Sequence, residues 1–339
     1  VGSEVTRTAV DVESRDCLRL SVFFAEVFVT ESKRNPSPAE SPVEKPADQK
    51  PRRFRRFIIK CLAMYVVVAV LVAIFQRSLI YVPFRVDQIV VADAGHLAGR
   101  TEHVSVEASE GITLNGWRIR PPGERRRTIL YCPGNAANRI YRVSTLDVLS
   151  ENGSEVFLFD YRGYGENEGS PSEEAIAADV REIWDWLTTE QGIPPEEIIV
   201  YGQSLGGGVA VRLVADLAAE NVSPGGLLLV SAFSSMVDAA SNRFAWLPVS
   251  LLLRDRYPSE QRIEKITCPI LHIHGARDRI VPIWLGEKLF ARAPANSLSG
   301  LPRKFVTLPH AGHNDILQTS WDAFRTATLE FSAQVGREK

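Results

Sequence analysis

Cysteine is scarce in this 339-residue chain. The four present, Cys17, Cys61, Cys132 and Cys268, form no CxxC pair and no cluster with histidine at metal-ligand spacing. That excludes a disulfide-stapled scaffold and a zinc site. An excess of one charge is missing too. The chain has 39 basic and 41 acidic side chains, a formal net charge of −2, so it carries no basic footprint for nucleic acid. No internal repeat is visible, which sets aside solenoids and propellers. What remains is an ordinary globular composition, 45% hydrophobic and 24% charged. The length suits one large domain or two small ones.

The first 51 residues are read as an arm and a linker. The chain opens on Val1 rather than Met, which leaves a fragment, a processed chain and a non-standard start all open. The apolar stretch from Leu18 to Val29 is broken by Glu26 and is too short to span a bilayer; a poorly ordered arm is expected. Residues 35–51 hold five prolines, several charges and almost no large apolar side chain. Such a segment cannot bury enough surface to order itself.

Residues 52–76 are read as a basic flank and a transmembrane helix. Arg52, Arg53, Arg55 and Arg56 precede a run from Phe57 to Phe75 that is apolar except for Lys60. The run supplies about the 20 residues needed to cross hydrocarbon, and Lys60 is near enough to its end to snorkel. Positive charge on the N-terminal side places that side in the cytoplasm and the remainder of the chain across the membrane. A cleaved signal peptide, giving a secreted protein, is the competing reading. Gln76-Arg77-Ser78-Leu79-Ile80-Tyr81-Val82-Pro83 offers no small-x-small cleavage site, which favours an uncleaved anchor. Residues 55–60 also echo, loosely, a twin-arginine export signal.

Beyond residue 77 the pattern is that of one α/β domain. Strands are expected at 103–107, 112–119, 128–132, 156–160, 198–201, 227–230, 269–274 and 304–308. Helices are expected up to Leu149, after the Ser172 cap, over 205–219, over 282–293 and over 315–331. The continuous apolar strands predict a mostly parallel sheet covered on both faces. Residues 233–262, between two strands, would form a short helical lid. Their apolar side chains, Met236, Phe244, Trp246 and Leu251 among them, serve either as core packing or as an acyl-binding wall.

The organising motif is Gly202-Gln203-Ser204-Leu205-Gly206, set between the apolar run at 198–201 and a helical pattern. Gly-x-Ser-x-Gly alone is common. Between strand and helix it reads as a nucleophile elbow that exposes the Ser204 hydroxyl beside a helix N-terminus. A serine nucleophile needs a base and an orienting acid, in this topology in the order Ser, Asp or Glu, His. Asp278 follows the 269–274 strand and His313 follows the 304–308 strand, each on the rim where the elbow sits. Each has a bland reading, as a turn residue or a helix-start residue; together and in this order they point to catalysis. His310 is the rival base and Asp160 the rival acid. His272 and His274 alternate with apolar residues within a strand and read as core histidines. Two backbone N–H groups should form an oxyanion hole: that of Leu205, and that of Asn135, with Ala136 close behind, in the loop after the 128–132 strand. Gly134 lets that loop approach the substrate.

Together these pieces resemble the α/β-hydrolase superfamily, and within it the membrane-anchored Bem46-like and ABHD-type serine hydrolases. The likeness rests on residues 75–83, Pro-Gly-Asn-Ala at 133–136, Asp-Tyr-Arg-Gly-Tyr-Gly at 160–165, Gly-Gln-Ser-Leu-Gly-Gly at 202–207, His-Gly-Ala-Arg-Asp-Arg-Ile-Val-Pro at 274–282 and Gly-His-Asn-Asp at 312–315. The resemblance implies an α/β-hydrolase fold with Ser204 as nucleophile, Asp278 as orienting acid and His313 as general base. Pro133 stands where the family usually has histidine. The family's strand order also separates Cys132 from Cys268, so no disulfide is expected between them. The activity implied is hydrolysis of an ester or thioester, as in carboxylesterases, thioesterases and lipases, on a small-molecule or lipid-like acyl substrate. No metal or organic cofactor is required. Amide cleavage by a peptidase of the same fold is the runner-up. A non-catalytic membrane-tethered binding module is the reading from another class.

Overall fold

The computed structural model describes residues 50–335. The arm and all but the last two residues of the linker lie outside these. The first element, α1 (Lys50–Ile80), is a single helix. Within it, Arg52–Ile80 is long and apolar enough to cross a bilayer. The helix runs four residues past the expected boundary at Gln76, because its polar last turns find partners. Gln76 is buried and donates to the Leu252 carbonyl at 3.1 Å, and Arg77 meets Asp255 at 3.1 Å. Pro83 closes off further helix.

From Thr101 onward strands and helices alternate. In chain order they are β1 (Thr101–Ala108), β2 (Ile112–Ile119), β3 (Arg127–Cys132), α2 (Val143–Glu151), β4 (Ser154–Phe159), α3 (Glu173–Asp185), β5 (Ile198–Gln203), α4 (Leu205–Ala219) and β6 (Gly226–Val230). Three short helices follow, α5 (Met236–Arg243), α6 (Val249–Leu252) and α7 (Ser259–Arg262), within the segment expected as a lid. Then come β7 (Ile270–Gly275), α8 (Ile283–Arg292), β8 (Lys304–Leu308), α9 (Ile316–Thr319) and α10 (Trp321–Gln334). The eight strands form one sheet in the order β1-β2-β4-β3-β5-β6-β7-β8. Only β2 runs antiparallel to its neighbours; every other pairing is parallel. This is the expected fold class.

The two-residue period of a strand divides the apolar side chains between two cores. Leu130, Val200, Leu227 and Leu229 pack with Val180 of α3, Val209 of α4 and Leu285 of α8. Their neighbours Tyr131, Tyr201, Leu228 and Val230 pack on the other face with Leu146 of α2 and Phe324 of α10. Ser172 caps α3 as expected, its hydroxyl accepting from the Ala175 N–H. The helix expected over 315–331 is instead two, α9 and α10, parted at Ser320, where φ is −147° and ψ 34°. Hydroxyl side chains bond locally there, Thr319 donating to the Asp315 carbonyl at 2.8 Å, and such bonds compete with continued helix.

The turn from β5 into α4 is the tightest place in the sheet. Ser204 has φ 52°, in the left-handed region that only glycine adopts freely. A Cβ on Gly202 would lie 2.5 Å from the Gly206 carbonyl oxygen, and one on Gly206 would collide with the Cys132 carbonyl. These obstacles are backbone and cannot swing away. Gly206→Ala is therefore expected to cost at least about 3 kcal/mol of stability. Gly123→Ala, in open space, should change it by no more than about 0.5 kcal/mol. Urea midpoints measure both, and equal midpoints would contradict the packing described.

Candidate active site

Three loops at the C-terminal ends of β5, β7 and β8 bring Ser204, Asp278 and His313 together. Asp278 is anchored first. One carboxylate oxygen accepts the N–H groups of Ile280 at 2.9 Å and Val281 at 2.8 Å. The other lies 2.7 Å from His313 Nδ1. A carboxylate only accepts, so His313 carries its proton on Nδ1 and leaves Nε2 as an acceptor. That nitrogen stands 3.0 Å from Ser204 Oγ, whose hydroxyl therefore donates to it. The arrangement can take up the serine proton as the oxygen attacks a carbonyl.

The loops are tied to one another by backbone. The Ala276 N–H donates to the Leu308 carbonyl and the Arg277 N–H to the Ala311 carbonyl, each at 2.9 Å. Gly275 allows this contact, since a Cβ there would sit 2.5 Å from the Ala311 carbonyl oxygen. Burial by itself would raise the Asp278 carboxyl. Hydrogen bonds from His274 and His313, the electrostatic pull of the His313 ring and the Val281 N–H outweigh it and hold the group well below the usual carboxylate range.

The rivals are accounted for. His310 is exposed and lies 3.4 Å from Arg277. Asp160 is buried against Arg139, which donates to it through both its backbone N–H at 2.7 Å and its guanidinium at 2.6 Å. Burial pushes that carboxyl up to about 6 against the pull of Arg139. His272 and His274 are fully buried. His274 donates through Nε2 to the Val281 carbonyl at 2.9 Å, so its Nδ1 accepts from His272 Nε2 at 3.3 Å. His272 is not the satisfied core residue the strand pattern suggests. Its Nδ1 has no partner among the described residues, and burial, then His274, lowers its pKa well below the ordinary value. Cys132, at the end of β3, and Cys268, two residues before β7, are free, and β5 and β6 lie between those two strands. Burial pushes the Cys132 thiol up to about 12, which leaves it inert as a nucleophile.

The two residues expected to supply oxyanion donors lie on either side of the serine. Leu205 is the first residue of α4, so its N–H has no carbonyl one turn back to bond. The β3–α2 loop passes over the serine, with Gly134 so placed that a Cβ would lie 3.6 Å from Ser204 Cβ. The side chain of Asn135 has a role the sequence did not reveal. Its oxygen accepts from the Tyr164 hydroxyl at 2.8 Å and from the Val82 N–H at 3.1 Å, and its amide donates to the Ile80 carbonyl. Tyr161 donates to the Pro133 carbonyl at 2.9 Å, in the same loop. The two tyrosines of the 161–165 loop thus hold this strip, Tyr161 through the Pro133 backbone and Tyr164 through the Asn135 side chain.

Comparison with known proteins bears on the family and the fold. A family model described as alpha/beta hydrolase fold matches residues 127–249. An uncharacterized protein of Mycobacterium tuberculosis is 39% identical over 241 residues, 71% of this chain and 81% of that protein. A Danio rerio protein named lysophosphatidylserine lipase ABHD12 is 30% identical over 296 residues, 75% of this chain and 76% of that protein. The chain belongs to the α/β-hydrolase family, ABHD type. Among solved structures, an esterase of Pyrococcus furiosus aligns with this hydrolase at a TM-score of 0.57 and 19% identity, over 76% of this chain and 98% of that one. An alpha-beta hydrolase of Vibrio vulnificus aligns at 0.57 and 20%, over 71% and 88%. At these identities the likeness is one of fold.

The depressed Asp278 pKa ties stability to pH. Its folded value lies below the unfolded one, near 3.9. The stabilisation is thus present above that pH and lost as pH falls toward the folded value. In this hydrolase the difference in urea midpoint between wild type and Asp278→Asn should be largest above pH 5 and shrink toward pH 3. A difference that does not vary with pH would contradict the assignment.

Proposed function

We propose that this α/β-hydrolase is a membrane-anchored serine hydrolase that cleaves ester or thioester bonds of lipid-like acyl substrates through a covalent acyl-enzyme. The observation that carries the reading is the continuous hydrogen-bonded line from Ser204 through His313 to Asp278. Ser204 Oγ attacks the acyl carbonyl while His313 Nε2 takes its proton. Asp278 holds the imidazole and stabilises the imidazolium. The N–H groups of Leu205 and Asn135 receive the negative charge that develops on the carbonyl oxygen. His313 then protonates the leaving alcohol or thiol. Water attacks the acyl-serine, giving its proton back through His313 to Ser204 Oγ, and the acid departs. No step calls for a metal or organic cofactor.

The substrate class draws support from the relative named for lysophosphatidylserine lipase activity and from the apolar helix next to the site. The four arginines ahead of the span favour a cytoplasmic N-terminus with the hydrolase domain on the far side. Residues 233–262 serve as the lid.

A fluorophosphonate probe should label the full-length protein, and Ser204→Ala should abolish labelling and lower ester hydrolysis by about 10⁴-fold or more. A folded wild type that takes no label would instead mark a non-catalytic tethered module. For orientation, protease added outside intact cells should cut residues beyond 80; complete protection would overturn the assignment of sides.

A further inference from the structure

Between β6 and β7, residues 244–253 form a ten-residue run without a charged side chain, bounded by Arg243 and Arg254. Three of its large side chains face outward, while Val249 is buried. Leu251 is 83% exposed, Trp246 55% and Phe244 44%. In water this surface is unfavourable by about 25 cal/mol for every Å² left uncovered. It lies within the proposed lid, but no step of the proposed chemistry needs this surface to face water.

Part of the backbone of the run is met by long-range partners, although the N–H groups of Ala245 and Trp246 have none among the described residues. Within the run, the Leu247 N–H donates to the Phe244 carbonyl and the Leu253 N–H to the Val249 carbonyl, each at 2.9 Å. Three carbonyls that turns leave over are met by side chains. Tyr65 donates to Trp246 O at 3.0 Å, Gln76 to Leu252 O at 3.1 Å and Arg256 to Ser250 O at 3.0 Å. Gln76 also accepts the Arg254 N–H at 2.6 Å. Two of these donors, Tyr65 and Gln76, belong to the candidate span. They stand eleven residues apart, about 16 Å along a helix. The run is therefore clamped to α1 from Tyr65, midway along the apolar stretch 57–75, to Gln76 at its end, so part of it lies at hydrocarbon depth when α1 crosses a bilayer. In that setting every backbone polar group needs an internal partner.

We propose that residues 244–253 are a second membrane-embedded element, a hydrophobic wedge seated among the acyl chains beside α1, with Arg243 and Arg254 at the headgroup level. The proposal rests on reading α1 as a membrane span. The wedge is not a loose lid. Immediately after it Asp255 binds Arg77 and Tyr81, the latter at 3.0 Å, and Tyr257 meets Tyr81 hydroxyl to hydroxyl at 2.9 Å. Tyr257 in turn packs over Gly208 in the helix that follows the serine. Embedding the wedge places the catalytic rim against the bilayer surface, within reach of substrates that reside in it.

Spin-label accessibility tests this on the full-length chain in phosphatidylcholine nanodiscs. Cys17 and Cys61 are replaced by Ser, the buried Cys132 and Cys268 are kept, and a single nitroxide is placed through Leu251→Cys, Val66→Cys or Gly123→Cys. The Leu251 label should collide severalfold more with dissolved oxygen than with a water-soluble nickel chelate, as the Val66 label on the span should. The Gly123 label, on the loop before β3, should show the reverse. A Leu251 label as open to nickel as that at Gly123, with Val66 still in lipid, overturns the wedge and spares the span. A Val66 label open to nickel overturns the span itself. A Leu251 label shielded from both colliders means that protein, such as a second copy, covers the run, and this also overturns the proposal. Brominated acyl chains give a label-free reading. They should quench the tryptophan fluorescence, and Trp246→Phe should remove much of that quenching; quenching unaffected by Trp246→Phe counts against the wedge.

Discussion

Asp278 divides its two carboxylate oxygens between two tasks, and the rest of the site depends on that division. One oxygen is held by the amides of Ile280 and Val281 and fixes the side chain to its own loop. The other meets His313 and sets which ring nitrogen carries the proton. Were the carboxyl free to turn, the imidazole would lose both its tautomer and its aim at Ser204. The crossed backbone bonds between the β7 and β8 loops serve the same end, because they make Asp278 and His313 parts of one rigid unit.

The serine is held by a different device. Its left-handed backbone is unfavourable by about 1–3 kcal/mol on its own, and it persists because the surrounding glycines leave no alternative packing. Strain at the serine and rigidity at its partners are complementary. The hydroxyl is pushed out of the strand–helix turn to a point that the joined β7 and β8 loops, further along the sheet, are shaped to meet.

Much of this was legible in the sequence. The strand calls followed from continuous apolar runs, since strands buried on both faces leave a plain signal, and β8 and α4 matched residue for residue. Ser204, Asp278 and His313 stood out because each ends a strand on the same rim. What remained hidden was lateral and long-range. Nothing in the spacing of Asn135 showed that its side chain would be gripped by residues 80–82 and Tyr164, more than fifty positions upstream and nearly thirty downstream. The break at Ser320 went unseen because local hydroxyl bonding competes with helix at a margin that apolar periodicity does not register. His272 was misjudged because alternation in a strand says that a side chain is buried, not that both of its nitrogens find partners.

The contact between Asn135 and residues 80–82 has a geometric consequence. In most tethered enzymes a flexible leash separates anchor from chemistry and lets the active centre roam. Here no leash exists: Ile80 ends the helix, and Val82, two residues on, already touches the loop over the serine. With α1 as the span, the height of the Ser204 hydroxyl above the hydrocarbon is set by these hydrogen bonds, like the depth stop on a drill. Molecules would then be selected by how far their scissile bond can rise from the bilayer, before any pocket begins to discriminate among them.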